Sequence, residues 1–282
     1  NRGHPAQQSE TTMNAVQQRG LRVVGFYVIA VSFAFVFRVP GPEWLSGLGL
    51  PEVVLAHRSW LAALGPCLGA LAMRRFAGGP RGVTLLGTSW RGSALMAAAP
   101  LVAFAIAAAS FGGGPPSHGA GLGLGAAVLA YCVLEETGWR GYLQDELQGL
   151  RPVVRYGAIG LLWHAWHLNF VEGGLHLRGE LTVLVLLVLG SWGIGTAVVH
   201  TRSIVVAACI HMTGNILAFS SLIKAAVGGS QRLAIVAGCV AWWTVIMFLW
   251  ERLQGPGDAA SPAAPDRSQY PVAEAVGQLE AP

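Results

Sequence analysis

Between residues 23 and 250 the chain is a series of eight apolar runs separated by short loops, and those loops hold most of its charge. The runs cover residues 23–37, 59–73, 93–111, 121–143, 154–170, 181–199, 203–225 and 233–250. Only 11% of all residues are charged, against about 25% in a soluble domain. Hydrocarbon cannot hydrogen-bond a backbone, so a segment that crosses it must be a helix or part of a closed barrel. These runs are continuous and rich in Ala, Leu and Gly, without the alternation of a barrel strand. The fold class that follows is all-α: a polytopic transmembrane helical bundle of about eight transmembrane helices. A span needs about 20 residues, so the shorter runs must recruit their flanks.

The arginines set an expected orientation. Arg19, Arg22, Arg74, Arg75, Arg81, Arg91, Arg140, Arg151, Arg155, Arg202 and Arg252 fall on one side of such a bundle. The opposite loops hold fewer basic residues: Arg38, Arg58, Arg178, Lys224 and Arg232. Both termini are then cytoplasmic, and the net charge of +4 is an orientation signal rather than a sign of nucleic-acid binding. Residues 1–20 read as a disordered cytoplasmic N-terminus, 21–253 as the transmembrane domain, and 254–282, rich in Pro and Ala, as a disordered C-terminal tail. Cys67, Cys132, Cys209 and Cys239 lie inside apolar runs without CxxC spacing and read as small buried hydrophobes. Gly121, Gly123 and Gly125, and Gly190, Gly193 and Gly195, read as helix-contact positions.

Against this background a few polar residues stand out. Glu135 and Glu136 are adjacent in the fourth run, where an ionised group costs roughly 3 kcal/mol or more unless paired or wet. The fifth run carries Trp163-His164-Ala165-Trp166-His167, and the seventh carries His211-Met212-Thr213-Gly214-Asn215. His211 and Asn215 share a helix face, as do His164 and His167. At 1.5 Å per residue, Glu135 and His211 each lie ~12 Å from the cytoplasmic end of their helices and His167 roughly 20 Å. One pocket can hold them all. Arg140 follows Glu136 by one turn, so the two can pair and leave Glu135 to face a water.

A carboxylate beside an imidazole can hold and deprotonate water. A second His with an amide can stabilise the oxyanion that develops on a scissile carbonyl. The reaction class is amide hydrolysis within the membrane. The same donors suit a divalent metal such as zinc, with Glu135, His167 and His211 as ligands. The residues leave bare and metal-bound water open as alternatives.

Glu135-Glu136-Thr137-Gly138-Trp139-Arg140 resembles the EExxxR motif of the CPBP intramembrane metalloprotease family, which comprises CAAX prenyl protease type 2 and bacteriocin-processing or immunity proteins. Trp163 to His167 resembles its FxxxH motif in a tryptophan form, and His211 to Asn215 its HxxxN motif. The resembling core covers residues 121–219. The resemblance implies Glu135 as catalytic carboxylate, His167 as its water-activating partner, and His211 and Asn215 as oxyanion stabilisers, with Glu136 and Arg140 in support. It implies a membrane-associated peptide or protein as substrate. The spacing from Trp163 favours His167 over His164. A non-catalytic immunity or scaffold protein of the same fold is the alternative, and a proton-coupled transporter a more distant one. The Ala/Gly/Arg-rich composition points to a bacterial cytoplasmic membrane.

Overall fold

The structure, a computed structural model, describes residues 5–39, 41–49, 58–78, 82–111, 118–168, 176–216 and 227–255. Among them every extended regular element is helical, and a lone bridge joins Thr84 to Ser203. Helix α1 is Pro5–Arg38 and α2 is Gly41–Ser46. A 3-10 turn, Arg58–Ala63, leads into α3, Leu64–Phe76. Then follow α4 (Trp90–Phe111), α5 (His118–Gly138), α6 (Pro152–His167), α7 (Leu177–Thr201), α8 (Ile204–Gly214), α9 (Gly229–Phe248) and the final turn α10 (Trp250–Leu253).

Four of these helices are long and apolar enough to cross a membrane: Val16–Arg38 of α1, Trp90–Ala109 of α4, and all of α7 and α9. Their outward faces show Leu21, Val24, Leu189 and Phe248 exposed, which suits contact with lipid. The chain is an integral membrane protein. The other four apolar runs are carried by α3, α5, α6 and α8. Of these α3, α6 and α8 are short, at 13, 16 and 11 residues.

Two boundaries differ from the sequence reading. Helix α1 begins at Pro5, inside the stretch 1–20 that composition reads as disordered. Proline fits the first turn of a helix, where its missing N–H costs nothing, and Ala6, Gln7, Gln8 and Glu10 are good helix formers. The fourth run is not one regular helix. It changes at Trp139–Leu143 into a π-helical turn before a short α-helical turn at Gln144–Glu146. The expected tail beyond Gly255 lies outside the described residues.

The main core is built where α1, α3, α5, α6 and α7 meet. Phe26, Trp139, Tyr142 and Trp166 are fully buried there. The Trp139 ring meets Phe26 edge-on at 5.6 Å and Trp166 at 5.9 Å, a favoured geometry for aromatic pairs. The Trp166 indole N–H is satisfied by the Ala30 carbonyl at 3.0 Å. Single-turn π segments often mark functional positions. Here the Gly141 carbonyl accepts from the Arg74 guanidinium.

Gly138, at the start of that turn, lies directly on α3. A Cβ there would sit 2.5 Å from Pro66 Cβ and 2.6 Å from the Pro66 carbonyl oxygen. Gly138→Ala is therefore expected to destabilise the fold by about 1–3 kcal/mol through overpacking. Gly157→Ala is the control, since a Cβ at Gly157 meets nothing within 4 Å. Thermal unfolding in detergent micelles compares them; equal melting temperatures would refute the close α3–α5 contact.

A loop strap fixes the start of α8, and so the height of His211. The first N–H groups of any helix lack partners within it. Here Ile204 N donates to the Thr84 carbonyl at 3.0 Å and Val205 N to the Leu85 carbonyl at 3.1 Å. Val206 N donates to the capping Ser203 hydroxyl. Asp145, in the turn Gln144–Glu146 that follows the π-helical turn, ties the same strap down by accepting from Gly82 N at 2.9 Å.

Candidate active site

The two adjacent carboxylates are held differently. Glu136 and Arg140, one turn apart, are both fully excluded from solvent. Arg140 Nη1 donates to Glu136 Oε1 at 2.9 Å. His211 Nδ1 lies 2.9 Å from the same oxygen without the alignment of a hydrogen bond, and pairs with it as an ion when the imidazole is protonated. Glu136 Oε2 is buried without a hydrogen-bond partner among the described residues. Arg140 also reaches across to α7, donating from Nη2 to Ser191 Oγ at 3.3 Å. One ion pair thus joins α5, α7 and α8.

Glu135, 1% exposed, takes its contact from α6. The Trp163 indole N–H donates to Glu135 Oε2 at 3.1 Å. Trp163 is the hub of the site. Its ring meets His211 edge-on at 4.9 Å and His167 at 5.9 Å, and the Arg140 guanidinium lies over it at 4.4 Å. A guanidinium over an indole face is attracted by the ring quadrupole, most strongly when desolvated.

His167 is the last residue of α6. Its Nδ1 lies 2.8 Å from the Trp163 carbonyl one turn back. Arg38, at the end of α1, donates from Nη1 to the carbonyls of Trp166 and His167, each at 2.9 Å. It also stacks on Trp166 at 4.2 Å. A cation on the last carbonyls of a helix stabilises that terminus. His164, by contrast, faces Glu180 on α7, with Nε2 3.3 Å from Oε2. The two histidines of the fifth run therefore point to different surroundings.

A cavity of about 160 Å³ is lined by Trp163 and His167 from α6, by His211, Gly214 and Asn215 from the end of α8, and by Gly190 and Gly193 of α7. Asn215 Nδ2 donates to Cys132 Sγ at 3.3 Å. Sulfur is a weak acceptor, so a better oxygen acceptor can draw this amide away.

The set offered above as metal ligands does not gather as one. Among the described residues no three His, Cys, Asp or Glu side chains are grouped so as to hold a metal ion. Glu135 faces the Trp163 indole, His211 leans on Glu136, and His167 Nδ1 faces its own helix.

Sequence reasoning passes over three residues here. It assigns Trp163 to the motif without a contact of its own, treats Arg38 as a loop charge, and leaves Ser191 unread. Only Trp163 carried a signal, as an indole in place of the family's phenylalanine. Trp163→Phe keeps the ring but leaves the buried Glu135 oxygen without its donor, which is expected to cost about 1–3 kcal/mol. An unchanged melting temperature would show that the indole bond contributes nothing.

No curated protein is similar enough to the chain to count as a match. Residues 116–217, which carry Glu135, Glu136, Arg140, His167, His211 and Asn215, match the family model described as Type II CAAX prenyl endopeptidase Rce1-like, over the same stretch that carries the three motifs.

Proposed function

We propose that the protein is an intramembrane endopeptidase that hydrolyses a peptide bond of a membrane-associated peptide or protein with a water activated by Glu135 and His167. The observation that supports this reading is the cavity lined by His167, His211 and Asn215 beside the indole that holds Glu135. A water held between Glu135 and His167, at the edge of that cavity, gives a proton to Glu135, and its oxygen adds to the scissile carbonyl carbon. The negative charge that develops on the carbonyl oxygen is met by the Asn215 amide N–H and by His211 in its imidazolium form. The C–N bond then breaks as Glu135 returns the proton to the leaving nitrogen. Glu136 and Arg140 hold His211 and the Trp163 ring in place.

The experiment is a comparison of membrane-associated peptides in cells carrying wild type or Glu135→Gln. Wild type is expected to produce cleaved termini that the variant does not, which also names the substrate. Identical termini in both would point to the non-catalytic immunity or scaffold role. Elemental analysis of active protein, with and without chelator, decides between bare and metal-bound water.

A further inference from the structure

The glycines of α7 read alike in sequence but fall into two classes in space. At Gly195 a Cβ would sit 2.2 Å from the Tyr156 ring. That glycine exists to let α6 and α7 touch, as does Gly160, where a Cβ would sit 2.6 Å from Val188 Cα. At Gly193 a Cβ would meet nothing within 4 Å, and at Gly190 only the Trp163 ring edge at 4.0 Å. Gly214, on the end of α8, is equally open. These three open glycines are the ones that line the cavity with His167, His211 and Asn215. Packing gives no reason for their lack of side chains. Alanine in a helix interior is favoured over glycine, so inside α7 the fold is served less well by glycine at positions 190 and 193.

Resting on the hydrolytic reading above, we infer that Gly190, Gly193 and Gly214 are the walls of a specificity pocket that receives one apolar side chain of the substrate next to the scissile bond. The cavity measures about 160 Å³. An apolar cavity of about 150 Å³ takes up a molecule of benzene size, so the fit is a side chain such as Leu or Phe. The rest of the described lining includes Leu186, Leu187, Ile194 and Ile210, which suits that chemistry. Leu186 and Gly193 are exposed on the outer face of α7, so the pocket opens toward lipid. A side chain carried by a membrane-embedded peptide can enter without crossing water.

A Cβ at these positions enters the cavity without a close contact to the fold. The test uses reconstituted protein and peptides of one sequence that differ only in the residue flanking the cleaved bond: Ala, Leu, Phe or Trp. Wild type is expected to favour Leu and Phe. In Gly190→Val and Gly193→Leu the Leu-to-Ala cleavage ratio is expected to fall at least tenfold, with Gly190→Ala and Gly193→Ala intermediate and melting temperatures not lowered. Gly157→Ala, which makes the same backbone change outside the cavity, is expected to keep the wild-type ratio. A ratio unchanged in all four pocket variants overturns the pocket while leaving the protease reading intact. No cleavage of any peptide by wild type overturns both.

Discussion

Glu135→Gln is expected to slow peptide cleavage by about 10²–10⁴-fold, the usual contribution of a positioned general base, while leaving the fold intact. The substitution is nearly isosteric. Its side-chain oxygen can still accept from the Trp163 indole that lies 3.1 Å away in the native site. What it loses is basicity. Initial rates with reconstituted protein, read together with melting temperature, check this. A variant that melts like wild type and cleaves like wild type would remove Glu135 from the reaction.

Arg140→Met is expected to have the largest effect on stability, about 3–5 kcal/mol. Both members of the Glu136–Arg140 pair are at 0% exposure. Removing the guanidinium leaves the buried Glu136 carboxylate with the His211 contact alone, and it also frees Ser191 and uncovers the Trp163 face. Breaking a buried pair costs far more than the pair contributes, because the remaining charge keeps its full desolvation penalty. The double variant Glu136→Gln/Arg140→Met removes that charge and is expected to recover much of the loss. Chemical or thermal unfolding in micelles of the two singles and the double measures the coupling. A double variant as unstable as the sum of its singles would show that the two residues do not act as a pair.

How much of this was legible in the sequence depends on the range of the contact. The helical class follows from apolar runs that no sheet could satisfy in hydrocarbon, and the Glu136–Arg140 pair follows from one helix turn. Both are local rules. The alignment of α5, α6 and α8 was suggested by overlapping depth along each helix, since polar groups at similar depth have little else to pair with. Contacts across helices were not legible. Nothing local says that the Trp163 indole reaches Glu135, that Arg38 caps the end of α6 under His167, or that Ser191 meets Arg140. Each depends on helix rotation, which packing of the whole bundle decides. The π-helical turn after Gly138 was likewise invisible, because no residue pattern marks it. The glycines show the same limit: Gly193 and Gly195 are two residues apart, and only their surroundings separate a pocket wall from a packing surface.

In the proposed function, side chains from separate helices act as one hydrolytic unit. Residues that act as a unit are grossly non-additive when removed together. The most direct measurement is therefore the cleavage rate of Glu135→Gln, His167→Ala and the double variant in liposomes, each normalised to folded protein. The expected result is that each single change removes nearly all activity and the double variant is no more than about threefold worse than the poorer single. Losses that multiply, or a single variant that retains wild-type activity, would contradict a shared site.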